Sequence, residues 1–403
     1  MKKRNSLVRL LGLIFTILIV LTATACSGQK AGTGGKAGES TSNSISNSSS
    51  GDKDTIKIGL ITPMTGGSAS HGADTVDTAK LIAKQINDAG GILDGRKIEF
   101  VIEDDKSLPE QGVTAFKKLY SQGIKFFTGT MNSSVAIPIT NVAKDSDAIY
   151  LISGAQAPQP LEMQTKGNIF GIHHTNIMFG QKFHKWIMDN LNLKTVVVVA
   201  ENTDFGKNEI AALKANWKGE NAPKIIAIEH FERSQTDFSV LLTKVRSLKP
   251  DAIYLAAAGT SLTASFFKQV EQLGITSQKL MNPGNMAQDF VKEGGSAVEG
   301  VISADIYHPS LDNKVNKQFV KDFKEMYNKL PTPINVTTWE SLKLLLNSIE
   351  KAGTADDIAA ISKVLKETTW ETPRGTLTFD EKGRAHTDSL ILEVKNGEIV
   401  PVK

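Results

Sequence analysis

Residues 56–62, IKIGLIT, are followed by apolar positions at Val76, Ala79, Ile82, Ala83 and Ile86, a stop at Gly90-Gly91, and a second apolar run at 98–103, IEFVIE. The first run hardly alternates, as expected of a strand buried on both faces. The middle segment repeats every three to four residues, the period of a helix with one buried stripe. Strand, helix and strand in that order require a crossover and therefore parallel pairing.

The same grammar continues outward. Strands are expected at Lys125 to Thr128, Ile149 to Ile152, Thr195 to Ala200, Ile225 to His230, Ala252 to Ala257 and Val301 to Ala304. Helical patterns fall at Val113 to Tyr120, Val135 to Ala143, Phe179 to Met188, Phe238 to Leu248 and Leu262 to Leu273. The fold class is α/β, with parallel sheets covered by helices on both faces. After Gly300 the order changes to helices at Asn316 to Tyr327, Trp339 to Lys351 and Asp357 to Lys366, followed by β-like pieces. Asn396-Gly397 between alternating apolar residues marks a final hairpin of the type I′ kind.

Upstream of the α/β region, residues 1–25 have the layout of a secretion signal: Lys2, Lys3, Arg4 and Arg9, an apolar stretch from Leu10 to Leu21, then Thr22-Ala23-Thr24-Ala25. The run Ala23-Thr24-Ala25-Cys26 resembles a bacterial lipobox, with Ala23 where Leu is usual. That resemblance implies cleavage before Cys26, lipidation of its sulfur, and anchoring to the outer face of the cell membrane. The apolar stretch is short against the ~20 residues of a spanning helix. Residues 27–52 hold eight Ser and six Gly, the composition of a flexible tether from 26 to 53.

The leader carries four cations and no acid, so its removal takes the formal charge from +3 to −1. A near-neutral mature chain with no basic stripe excludes nucleic acid as a partner. Cys26 is the only cysteine, so disulfides, thiol chemistry and cysteine-based metal sites are excluded from the domain. The sequence has no G-x-S-x-G, H-E-x-x-H, G-x-G-x-x-G or C-x-x-C motif, which leaves no catalytic residue, metal site or cofactor to assign. His173-His174, read as adjacent strand residues, would face opposite ways and share no metal. They read as structural or solvent-exposed.

Two segments suit an anion. Gly129-Thr130-Met131-Asn132-Ser133-Ser134 leaves a strand and opens a helix, so its hydroxyls and free amides form a receptor for a carboxylate, with plain N-capping by Asn132 or Ser133 as the alternative. Ser153-Gly154-Ala155-Gln156-Ala157-Pro158 leaves the next strand with small residues whose amides could reach the same anion. Glu103-Asp104-Asp105 stands at the same sheet edge, either facing a ligand or as a loop with an Asp capping the next helix.

These marks, with Pro63-Met64-Thr65-Gly66, Ile86-Asn87, Gly90-Gly91-Ile92, Pro109-Glu110-Gln111, Asp204-Phe205-Gly206, Thr236-Asp237-Phe238-Ser239, Asp251-Ala252 and Gly375-Thr376-Leu377-Thr378-Phe379-Asp380 with Gly383, resemble in order and spacing the branched-chain amino-acid binding proteins of ABC importers. The resemblance implies the type I periplasmic-binding-protein fold: Rossmann-like lobes of residues 54–174 plus 306–385 and 175–305 plus 386–403. Three hinge crossings near His174, Asp305 and Ala385 join them. It implies a monomer that captures a small carboxylate ligand by lobe closure and delivers it to a permease driven by ATPase subunits. A surface sensory receptor on the same fold is the alternative, and gene neighbourhood separates the two.

By the same resemblance, Ser133 with Ser134 and the segment Ala155 to Ala157 hold the carboxylate. Phe205 covers the ligand side chain, His71 lines the cleft, and Asn285 lies in the loop that carries the family's amine-binding Glu. Here that loop, Met281-Asn282-Pro283-Gly284-Asn285, has no acid. An enclosed ammonium without a counter-charge is costly. Either Glu201 or Asp204 supplies the charge, or the ligand lacks an α-amino group; Gly259 and Gly284 would also leave space for a larger or aromatic ligand.

Overall fold

The computed structural model describes residues 55–402; the expectations for the signal, Cys26 and the tether lie outside the described residues. Strands β1 (Ile56–Thr62), β2 (Ile98–Asp104), β3 (Phe126–Gly129), β4 (Ile149–Ile152) and β5 (Ile169–Gly171) form a parallel sheet in the order β2-β1-β3-β4-β5. Strands β6 (Thr195–Glu201), β7 (Lys224–Phe231), β8 (Ala252–Ala256), β9 (Gln278–Met281) and β10 (Ile302–Asp305) form the parallel part of a second sheet. A small antiparallel sheet follows from β11 (Trp370–Thr372), β12 (Gly375–Phe379) and β13 (Ala385–His386). The chain then returns to the second sheet as β14 (Leu390–Lys395) and β15 (Glu398–Pro401), completing the order β15-β14-β10-β9-β8-β6-β7.

Burial on both faces explains the near-continuous apolar strands. In β6, Val196 and Val198 pack among Phe179, Phe183 and Leu213, while Val197 and Val199 pack among Leu242, Ile253 and Phe266. Each such valine contributes roughly 1.5 kcal/mol or more to folding. The first sheet is sandwiched likewise. Ile56, Ile58 and Leu60 meet the helices Ala69–Asp88 and Pro333–Ala352, and Phe127 and Tyr150 meet Pro109–Ser121 and Ser133–Ala143. At the expected hairpin Asn396 and Gly397 both take positive φ, 54° and 73°, as a type I′ turn requires.

Behind the cleft the chain is tied by two buried arginines. The Arg374 Nε donates to both Glu340 carboxylate oxygens at 2.9 Å, its Nη1 to Thr387 Oγ1 at 3.0 Å and its Nη2 to the Ile172 carbonyl at 3.1 Å. Arg384 donates to the carbonyls of His173 at 2.8 Å and Ala157 at 3.3 Å. Its guanidinium lies so close to Gly171 that an added Cβ would stand 2.3 Å from Nη1, so a larger residue there would have to displace the guanidinium.

Glu209 is a buried acid whose charge destabilises the fold at high pH. It accepts from Tyr254 Oη and Asn176 Nδ2, both at 2.5 Å, and burial still pushes it up to about 7 against those two bonds. A folded-state pKa above the unfolded one means that its contribution is complete below about pH 4.5 and is lost as pH rises through about 7. Urea unfolding at pH 5 and pH 8 should therefore show Glu209→Gln removing on the order of 3 kcal/mol of the parent's loss over that range. An unchanged difference between the two pH values would mean that Glu209 is not the group responsible.

Candidate ligand-binding cleft

The two sheets direct the C-terminal ends of their strands at a shared cavity. His71 follows β1, Met131 to Ser133 follow β3, Gly154 and Gln156 follow β4, and His173 follows β5. From the opposite side come Phe205 after β6, Ala258 after β8, and Asn282, Gly284 and Asn285 after β9, with Ile334 from the helix Pro333–Ala352. Ligand crevices in open α/β sheets lie at such strand ends.

The expected residues Ser133, His71, Phe205 and Asn285 all reach this wall; Ser134, Ala155 and Ala157 are not among the lining residues. Asn132 is the N-cap residue of the helix Ser133–Ala143 but makes no side-chain cap, so the plain capping alternative does not hold. Its Nδ2 donates to Ser68 Oγ at 2.9 Å instead. The Ser133 Oγ accepts the Ala157 N–H at 3.2 Å, which leaves its own proton for an acceptor in the cavity, beside the helix's first amides. The amides of Ala155 and Ala157 are thus both engaged, Ala155 with the Thr130 carbonyl at 3.2 Å, and they brace the wall rather than face an anion.

Among the described residues, none that lines the cavity is acidic. Glu201 is fully buried and held by Arg233, by Thr203 Oγ1 at 2.5 Å and by the Ala258 N–H at 3.1 Å. Asp204 is half-exposed, 3.9 Å from Lys207. Neither replaces the missing Glu. Both cavity histidines are neutral at pH 7: burial, aided by Arg233, lowers His71 to about 4, and burial, aided by Arg374, lowers His173 to about 3.

Three expectations are corrected. Gly259 and Gly284 do not open room for ligand, because an added Cβ would stand 2.6 Å from the Gly67 carbonyl oxygen and 2.6 Å from Gln156 Nε2, respectively. At φ 103° and 99° these glycines bring the two walls together. His173 and His174 sit in the loop after β5 rather than on a strand, both are buried, and His173 lines the cavity. The Glu103-Asp104-Asp105 run neither faces the cavity nor caps a helix. Asp104 accepts from the Met64 and Lys106 amides at 2.9 and 2.8 Å and Asp105 from the Ser107 amide at 2.8 Å, which ties down the loop after β1.

Gln156, Asn132, Asn282 and His173 were not singled out from sequence as ligand contacts. The available signal was position: each follows a strand end within five residues.

The family model described as periplasmic binding protein matches residues 55–398. A leucine-, isoleucine-, valine-, threonine- and alanine-binding protein of Pseudomonas aeruginosa is 29% identical, covering 82% of this chain and 87% of its own. Among solved structures, a leucine-binding protein of Thermotoga maritima has a TM-score of 0.77 at 25% identity, covering 87% of this chain and 98% of its own. An ABC-transporter solute-binding protein of R. palustris in complex with benzoate has a TM-score of 0.80 at 22% identity, covering 86% and 95%. With two α/β lobes around a cavity at their strand ends, the chain belongs to the periplasmic binding protein family, in its type I, branched-chain amino-acid type, whose members bind solutes rather than transform them.

Proposed function

We propose that this protein is the solute-binding lipoprotein of an ABC importer and that its ligand is a small carboxylate lacking an α-ammonium group. One observation carries the ligand reading: the cavity presents the Ser133 hydroxyl and a helix N-terminus to an anion and has no acid among its lining residues. The Pseudomonas relative binds leucine, isoleucine, valine, threonine and alanine and the R. palustris neighbour holds benzoate, so the fold admits both ligand classes and the side chains must decide.

The lobes, residues 54–174 plus 306–385 and 175–305 plus 386–403, close over the ligand about crossings near His174, Asp305 and Ala385. The monomer then docks on a permease whose ATPases drive import. Cys26, lipidated after cleavage of residues 1–25, keeps the domain at the outer face of the cell membrane through the 26–53 tether.

Titration calorimetry should find 4-methylpentanoate binding more tightly than leucine, its α-amino counterpart; tighter leucine binding would sink the amine-free reading. Ser133→Ala should weaken carboxylate binding by about 1.5 to 3 kcal/mol, the range for a hydrogen bond to a charged group. Gly259→Val, which puts a branched side chain against the Gly67 carbonyl, should hold the lobes apart, read as a larger radius of gyration in ligand-saturated scattering. A Cys26→Ser change should move the protein from the membrane fraction to the soluble one, with loss of the diacylglycerol mass; an unchanged distribution would refute the anchor.

A further inference from the structure

Three residues that line the cavity each carry a buried acceptor that receives no donor from any described residue: Gln156 Oε1, His173 Nε2 and Asn132 Oδ1. Geometry fixes the chemical character of two of them. The Gln156 Nε2 donates to the Pro283 carbonyl at 3.1 Å, and since a carbonyl only accepts, the amide cannot be flipped and its oxygen is the unpaired end. The His173 Nδ1 lies 3.2 Å from the His174 carbonyl, so Nδ1 carries the proton of the neutral ring and Nε2 is a bare lone pair. Both side chains meet at one corner: a Cβ on Gly284 would stand 2.6 Å from Gln156 Nε2 and 3.6 Å from His173 Nε2.

Buried acceptors favour an occupant that brings hydrogens. An ammonium has three, yet it is a cation, and no acid among the described residues lines the wall to balance it. Hydroxyl groups donate without adding charge. We propose that the ligand is a polyhydroxylated carboxylate, its anion toward Ser133 and at least two of its hydroxyls donating to Gln156 Oε1 and His173 Nε2, with Asn132 Oδ1 open to a third. This rests on the carboxylate reading above and deepens it.

The test is calorimetry on the whole mature protein with two matched series: benzoate, 3-hydroxybenzoate and 3,4-dihydroxybenzoate, and hexanoate against gluconate. In one of the series affinity should rise roughly five- to tenfold per productive hydroxyl; which series responds separates an aromatic ligand from a sugar-acid type. Gln156→Met and His173→Phe should each cut the ratio of hydroxylated to unsubstituted affinity by about the same factor, and either variant suffices if the other does not fold. If unsubstituted acids bind as tightly as hydroxylated ones while Ser133→Ala still weakens them, the hydroxyl assignment falls and the carboxylate reading stands. Leucine binding above every hydroxy acid would hand the acceptors to an ammonium and overturn the inference. Failure of all the acids to bind would overturn the reading beneath it.

Discussion

The binding wall depends on a buried guanidinium that donates to backbone carbonyls. Arg384 is only 4% exposed, and burial lowers its pKa to about 10, so it remains a cation at neutral pH. What holds it is backbone: the carbonyls of His173 and Ala157 accept from it, and Gly171 makes room for it. Charge-assisted bonds of this kind are stronger and more directional than neutral ones. The Ala157 residue so fixed turns its N–H to Ser133 Oγ, and that bond orients the hydroxyl at the cavity. Arg384 is therefore linked to the cavity through Ala157 and Ser133, although it does not line it. Arg374 does parallel work for Ile172 and Thr387, its charge answered by Glu340.

The second constraint is how closely the walls approach. The backbone of Gly259 reaches the Gly67 carbonyl, Gln156 spans to Pro283, and Gln159 and Asn208 pair amide to amide at 3.0 and 3.2 Å. These contacts include polar ones whose groups would return to water if the walls separated as proposed. Such an interface is weak in net terms, because water replaces each bond it loses. On the proposed lobe closure, a ligand that bridges both walls would add its contacts to the closed form alone, which is the differential affinity such a two-state closure requires.

The architecture was legible because buried parallel strands announce themselves as apolar runs, and β1 and β4 fall at the expected residues. The three-residue β5 and the Gln-Lys opening of β9 were not anticipated, since neither offers enough apolar residues to show a period. At the site, Ser133 was legible in its own segment, a strand end that opens a helix, whereas His71, Phe205 and Asn285 were placed through the family resemblance. His173 was hidden because adjacent histidines look like strand residues until the loop after β5 turns one into the cavity. The glycines at 259 and 284 misled, because an absent side chain reads as space when the sequence cannot show the backbone from the other wall that fills it.

The loop after β9 explains why the cavity is free of acid. Asn285 bridges the Ala257 carbonyl and the Gly259 amide at 2.9 and 3.3 Å, and Asn282 bonds the Ala257 amide and the Pro283 carbonyl at 2.8 and 2.9 Å. Side-chain amides suit this work because one group both donates and accepts, which a carboxylate cannot do. The acid of this region is Asp305, one layer behind the loop, accepting from the Ile306 amide at 2.7 Å and the Met286 amide at 3.3 Å. Burial raises its pKa to about 7, and its oxygens are turned to the backbone rather than to the cavity. Holding the loop with amides and keeping the carboxylate behind it leaves the wall polar but uncharged. In such a wall a ligand's own negative charge meets no opposing charge, and a cation finds nothing to neutralise it.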